Sequence, residues 1–264
     1  MTTAPPIPVR SPLSGGLSGS TAVLVGASSG IGLAAGLLLR SVGARVVLVG
    51  RDPDRLKAAV SRVRDANPAD DPDDAVLAVA GDGGDERVLA EAFDRAGHVD
   101  HVFVTAGGLS GRGHVTALSA DDLRATFDSL LQRAFAIART SASRLPAGGS
   151  LTFSSGILVA RPLPGMAAPL SAAGAVETLT RALAVELAPV RVRVNTVRFG
   201  RIDTPLLRSL PGLDSDEAVT AAGSAVPVGR FGTAEEAAGT ALFLMANNYV
   251  TGQILTVDGG ETLA

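Results

Sequence analysis

The feature that most constrains this chain is the run TAVLVGASSGIGLAAGLLLR from Thr21 to Arg40. A β-branched apolar segment meets Gly26-Ala27-Ser28-Ser29-Gly30-Ile31-Gly32 and passes at once into Ala/Leu-rich sequence. This reads as strand, tight turn and helix. A chain that leaves a strand and opens a helix presents unpaired amide N–H groups and the positive end of the helix dipole above the sheet, where a pyrophosphate is stabilised. Glycine at 26 permits the tight turn, at 30 lets backbone approach a phosphate, and at 32 lets the helix pack on the strand. Gly26, Ser28, Ser29, Gly30, Ile31 and Gly32 are therefore the expected binding cradle.

The alternation continues to the C-terminus. RVVLVG (45–50) precedes DRLKAAVSRVRDA (54–66), AVLAVA (75–80) precedes a helix over 85–96, and VDHVFVTA (99–106) precedes a long helix over 119–145. SLTFSS (150–155) is followed by a second long helix over 167–188, VRVRVNTV (190–197) by a helix over 233–246, and QILTVD (253–258) closes the chain. Strands apolar on both faces and separated by helices need right-handed crossovers. The expected fold is a doubly wound, Rossmann-type α/β domain over residues 21–264, with a mostly parallel seven-stranded sheet covered by helices on both faces. Residues 1–20, rich in Pro, Gly, Ser and Thr, read as a flexible N-terminal tail. NPADDPDD (67–74) reads as a solvated loop.

Composition narrows the chemistry. A formal charge of −3 with no basic surplus excludes nucleic acid and anionic membrane as expected partners. Without cysteine, and with three scattered histidines, no thiolate chemistry and no protein-held metal is expected. No segment reads as a signal peptide or a membrane span, so a cytoplasmic location is the expectation. Lys57 is the only lysine and Tyr249 the only tyrosine.

From about Leu17 to its end the chain resembles the short-chain dehydrogenase/reductase family. The resemblance rests on the Gly-x-x-x-Gly-x-Gly turn, Asp82, Ala106-Gly107, Ser154-Ser155, RVRVNTV with Gly200 and Thr204, GRFGTAEEAA (229–238) and TGQILTVDGG (251–260). It implies a nicotinamide dinucleotide cofactor, with Asp82 holding the adenine amino group, Ala106 and Gly107 beside the cofactor, and Thr204 at the nicotinamide carboxamide or the phosphates. In the family's register Gly50 stands where a ribose-binding carboxylate would be, and Arg51 follows. An arginine there pairs with a 2′-phosphate, so NADP(H) is expected over NAD(H). Asp52 is the competing residue, and Arg51 could instead be a solvated arginine at a helix start.

The family's proton transfer uses a tyrosine, a lysine four residues later, a serine and an asparagine. Here the resemblance puts Pro169 at the tyrosine position, Ala173 at the lysine position and Leu130 at the asparagine position. Only the serine survives, as Ser155. No tyrosine or lysine lies between 58 and 248, so no alignment restores the pair. Losing general acid–base help forfeits about 10²–10⁴ in rate. His114, in the glycine-rich loop after the fourth strand, is the best substitute donor, although an ordinary exposed loop histidine fits as well. Arg112 and Arg161 are further candidates for polarising a carbonyl. His98 and His101 are given no role, and Glu177 and Glu186 read as helix-surface carboxylates.

The expected function is thus an NADP(H)-binding oxidoreductase acting on a small carbonyl or alcohol by an altered proton-transfer arrangement, with 201–228 as a substrate lid. The alternatives are a lyase, isomerase or cyclase in the same pocket, or a non-catalytic cofactor-binding scaffold. The resemblance also implies a homo-oligomer, a tetramer or dimer paired through the two long helices.

Overall fold

The computed structural model describes residues 11–67, 74–105, 107 and 110–264. Seven strands form one sheet: β1 (Thr21–Val25), β2 (Arg45–Gly50), β3 (Val76–Ala80), β4 (His101–Val104), β5 (Ser150–Gly156), β6 (Arg193–Phe199) and, last in the chain, β9 (Ile254–Val257). Their order is β3-β2-β1-β4-β5-β6-β9, and every adjacent pair is parallel. The chain reverses direction across the sheet between β1 and β4. Crevices at such switch points, above the carboxyl ends of the strands, are where ligands bind in open α/β sheets.

The helices are α1 (Gly30–Ser41), α2 (Pro53–Arg64), α3 (Glu86–Ala96), α4 (Ala120–Phe127), α5 (Arg133–Ala142), α6 (Ala167–Glu186), α7 (Pro205–Arg208), α8 (Asp216–Gly223) and α9 (Ala234–Ala246). Two apolar layers result. Leu24, Leu48 and Phe103 pack with Leu39 of α1, Leu56 of α2 and Leu242 of α9 on one face. Val23, Val102 and Phe153 pack with Leu89 of α3, Ile137 of α5 and Leu179 of α6 on the other. Strands buried on both faces are the physical reason the sequence shows apolar runs without alternation.

Two expectations need correction, and a third segment gains detail. The single helix over 119–145 is two helices, α4 and α5, joined by a π-turn at Asp128–Gln132 and ending at Ala142. That turn contains Leu130, and such bulges are frequent at functional sites. Residues 14–20 are packed rather than loose: Ser14–Leu17 forms a 3₁₀ turn, Leu17 is 1% exposed, and the Ser20 hydroxyl donates to the Leu17 carbonyl at 2.6 Å. One large apolar side chain, read as too few to repay ordering, finds its place beneath α9. The stretch 201–228 also carries structure of its own, α7 and α8, with Leu207, Val219, Val226 and Phe231 in a small separate core. A short parallel pair, β7 (Ile202–Asp203) with β8 (Gly232–Thr233), ties its base. Among the described residues no helix is long and apolar enough to cross a membrane, and no group of three or more His, Asp or Glu could hold a metal.

Candidate functional site

The glycine turn is built as its spacing requires. Gly26 (φ 91°) and Gly30 (φ 55°) occupy the left-handed region, and a Cβ at Gly32 would stand 2.5 Å from the Gly26 carbonyl oxygen and 2.7 Å from Thr105 Oγ1. Ser29 is the N-cap of α1 and makes no side-chain cap hydrogen bond among the described residues, so its hydroxyl does not take up the first-turn N–H groups. The Gly26 N–H donates to the Val49 carbonyl at 2.9 Å, which fixes the turn against β2. Thr204 packs over its far side: a Cβ at Gly30 would meet Thr204 Cγ2 at 3.5 Å. Ser28 faces the end of β2, 3.4 Å from where a Cβ on Gly50 would be.

At the end of β2 the two competing residues part company. Asp52 is the N-cap of α2: its Oδ1 accepts from the N–H of Asp54 at 3.0 Å and of Arg55 at 3.1 Å, and its other oxygen pairs with Arg55 at 3.3 Å. Proline at the first helical position and an aspartate cap before it explain this helix start. Arg51 is exposed and has no hydrogen-bond or ion-pair partner among the described residues.

Asp82, after β3, accepts from the Gly84 N–H at 2.8 Å and from Arg133 Nη2 at 3.2 Å. Gly107 lies beside the π-turn, where a Cβ would stand 3.4 Å from Leu130 Cδ2. Ala106 lies outside the described residues.

The substrate side of the cleft departs from expectation at one helix face. On α6 Pro169 is buried and Ala173 half-buried, so neither position offers a proton. One turn further on, Glu177 was read as a surface carboxylate; it is 4% exposed. Ser155 Oγ donates to Glu177 Oε1 at 2.8 Å, and Arg198 grips both carboxylate oxygens, Nε to Oε1 at 2.9 Å and Nη2 to Oε2 at 2.6 Å. Ser155 and Arg198 are register partners on β5 and β6, which places both side chains toward α6. The bonds to Glu177 push the Arg198 guanidinium above the usual arginine range. Sequence reasoning missed this chain of three. Its signal was Arg198 between Val197 and Phe199 in a strand of the sheet, since a buried charge is seldom left unpaired.

Other candidates lie apart from Ser155. The His114 ring bonds Thr116 Oγ1 at 2.9 Å on its own exposed loop, and Arg112 is exposed. That loop touches the segment after β5 through the Gly113 N–H, which donates to the Gly165 carbonyl at 2.9 Å. Arg161 donates to the Glu261 carbonyl at 2.6 Å, so it holds the C-terminal turn rather than standing ready for a ligand. The Glu261 carboxylate pairs with Arg201, whose guanidinium lies 4.9 Å from the Phe231 ring centroid. Thr204, as N-cap of α7, accepts from the Leu207 N–H at 3.4 Å.

Comparison with known proteins agrees with this fold. A family model described as enoyl-(acyl carrier protein) reductase matches residues 26–262. The 3-oxoacyl-[acyl-carrier-protein] reductase FabG of Thermotoga maritima is 30% identical over 248 residues, covering 92% of this chain and 98% of its own. The short-chain dehydrogenase/reductase malC of Malbranchea aurantiaca is 29% identical over 262 residues, covering 94% of this chain and 96% of the relative. Its solved structure, a reductase/Diels-Alderase, superposes with a TM-score of 0.85 at 26% identity, over 94% of this chain and 98% of that one. The L-sorbose reductase of Gluconobacter frateurii, solved with NADPH and L-sorbose, gives a TM-score of 0.80 at 26% identity, over 94% and 98% of the two chains.

Proposed function

This chain belongs to the short-chain dehydrogenase/reductase family, and on that premise we propose that it binds NADP(H) and acts as an oxidoreductase on a small carbonyl or alcohol substrate, by a proton-transfer arrangement other than the family's tyrosine–lysine pair. The left-handed glycines, and the close packing of α1 on the strand that Gly32 permits, fit a dinucleotide over the Gly26–Gly32 turn. Ser28, Ser29 and Ile31 would line the pyrophosphate, Asp82 would meet the adenine, Ala106 and Gly107 would flank the cofactor, and Thr204 would meet the carboxamide or the phosphates. When bound, the nicotinamide supplies a hydride donor or acceptor. What this chain supplies is binding, orientation and the exclusion of water.

The observation that carries the NADP(H) reading is the division of labour at the end of β2. Asp52 is taken up in capping α2, while Arg51 stands exposed beside it. A carboxylate that caps a helix is not placed for ribose hydroxyls, and a guanidinium with open donors suits a 2′-phosphate. The NADPH-bound relative is consistent with it. The test is deuterium transfer from 4-deuterated NADPH to the alcohol product across a panel of small ketones and aldehydes. Transfer that falls on His114→Ala would make His114 the proton donor, and transfer unchanged would remove it from that role.

A second reading has an observation of its own. The Ser155 proton is donated to Glu177, and Pro169 and Ala173 carry no acid, which also suits a reaction that needs no proton from this face of α6. A structural relative that is a reductase/Diels-Alderase accords with a non-redox step in such a cleft. A product formed without change in nicotinamide absorbance would establish this reading against the first. We further propose a cytoplasmic homo-oligomer formed through α4–α5 and α6, where Leu123 and Phe135 are exposed; light scattering reads its size.

A further inference from the structure

The Ser155–Glu177–Arg198 chain sets a hydrogen-bond polarity at the mouth of the β5 strand. Both Glu177 carboxylate oxygens accept from Arg198, so in the bond between Ser155 and Glu177 the serine is the donor. Arg198 is itself steadied by β9, its Nη1 donating to Thr256 Oγ1 at 3.4 Å. With the carboxylate pinned at two points and only 4% exposed, it cannot turn away and release the serine proton. A serine hydroxyl has one proton and two lone pairs. Once its proton is given to an anion, the oxygen has only acceptor capacity left, and the polarisation makes it a better acceptor. Ser155 is half-buried at the carboxyl end of β5, so the residue is within reach of a molecule bound above the sheet. At Pro169 and Ala173 the adjoining face of α6 adds no side-chain donor, because neither side chain has a polar atom.

We propose that Ser155 acts as a hydrogen-bond acceptor toward the substrate, so that this cleft selects an O–H or N–H at the reacting position, an alcohol above all, over the corresponding carbonyl. Glu177 and Arg198 are the positioning residues that fix this polarity. The inference rests on the reading that substrate binds in this cleft, and it deepens that reading by naming the form of the substrate that the resting site accepts.

The experiment compares binding rather than turnover. Matched pairs, cyclohexanol with cyclohexanone and 1-phenylethanol with acetophenone, are titrated by ligand-observed NMR against the full chain saturated with 2′-phospho-ADP-ribose, which lacks the nicotinamide and cannot react. Titration of that nucleotide on the same samples tests the cofactor reading separately. We expect each alcohol to bind about threefold to tenfold more tightly than its ketone. In Ser155→Ala, which leaves the Glu177–Arg198 pair intact, the ratio should fall to about one. In Glu177→Gln the side-chain amide can donate to Ser155 and free the serine proton, so the preference should move toward the ketone. Should that variant fail to fold, Ser155→Ala decides. Ketones bound as tightly as alcohols, no binding of any probe to the wild-type chain, or an alcohol preference retained in Ser155→Ala would overturn the proposal.

Discussion

The Thr105 hydroxyl lies 3.1 Å from the Gly26 carbonyl and 3.2 Å from the Val25 carbonyl, so the end of β4 holds the turn that leaves β1. The same hydroxyl stands 2.7 Å from the point a Cβ on Gly32 would occupy, and the Gly26 carbonyl oxygen stands 2.5 Å from it. A backbone carbonyl cannot move aside cheaply.

Gly32→Ala should therefore cost about 1–3 kcal/mol of stability, the usual range for overpacking, and should weaken dinucleotide binding because the turn must open. Urea unfolding and nucleotide titration read the two effects. Gly239→Ala is the contrasting case. This glycine lies inside α9, with nothing within 4 Å of its missing Cβ, and the substitution should stabilise by about 0.5–1 kcal/mol.

The Glu177–Arg198 pair gives a second expectation. Glu177→Ala leaves a partly buried guanidinium without its anion and should cost about 3–5 kcal/mol. Replacing both residues with methionine removes both charges and should cost less than either single change. Additive losses in denaturant titrations would contradict the view of the pair as one coupled unit.

A pH effect follows from the capping box at the start of α9. Arg230 donates to both Glu236 carboxylate oxygens, at 2.8 and 2.7 Å, and the Thr233 N–H donates to it at 2.9 Å. Arg230 foremost, then the Thr233 N–H, lowers the Glu236 carboxyl from its usual 4.5 to about 2. A carboxylate held lower in the folded chain contributes stability that is full above about pH 4.5 and is lost as pH falls toward 2. Thermal melts should show the gap between wild type and Glu236→Gln closing across that window. A gap that stays constant with pH would argue against it.

How much of this was legible beforehand differs between fold and site. The strand runs and the glycine turn carried the doubly wound sheet, because strands buried on both faces leave an unbroken apolar signature. The π-turn at Asp128–Gln132 left none: its residues continue a helical pattern, and Leu130 within it lies close to Gly107 only in the fold. Leu17 was misjudged because a burial site for one side chain cannot be read from a Gly- and Ser-rich stretch. At the site, the identities of Pro169 and Ala173 were legible, since both are plain in the sequence. What fills the space was not, because Glu177 and Arg198 are 21 residues apart and meet only when α6 lies across β6. That the Asp52 carboxylate caps α2 is likewise a matter of backbone geometry.

The most direct test of the account is a calorimetric titration of NADPH and NADH against the wild-type chain and Arg51→Ala. We expect NADPH to bind the more tightly, and Arg51→Ala to weaken NADPH by about tenfold to a hundredfold, as for the loss of charge-assisted hydrogen bonds, while NADH changes little. Preference for NADH, equal weakening of both nucleotides, or no binding of either would contradict the account.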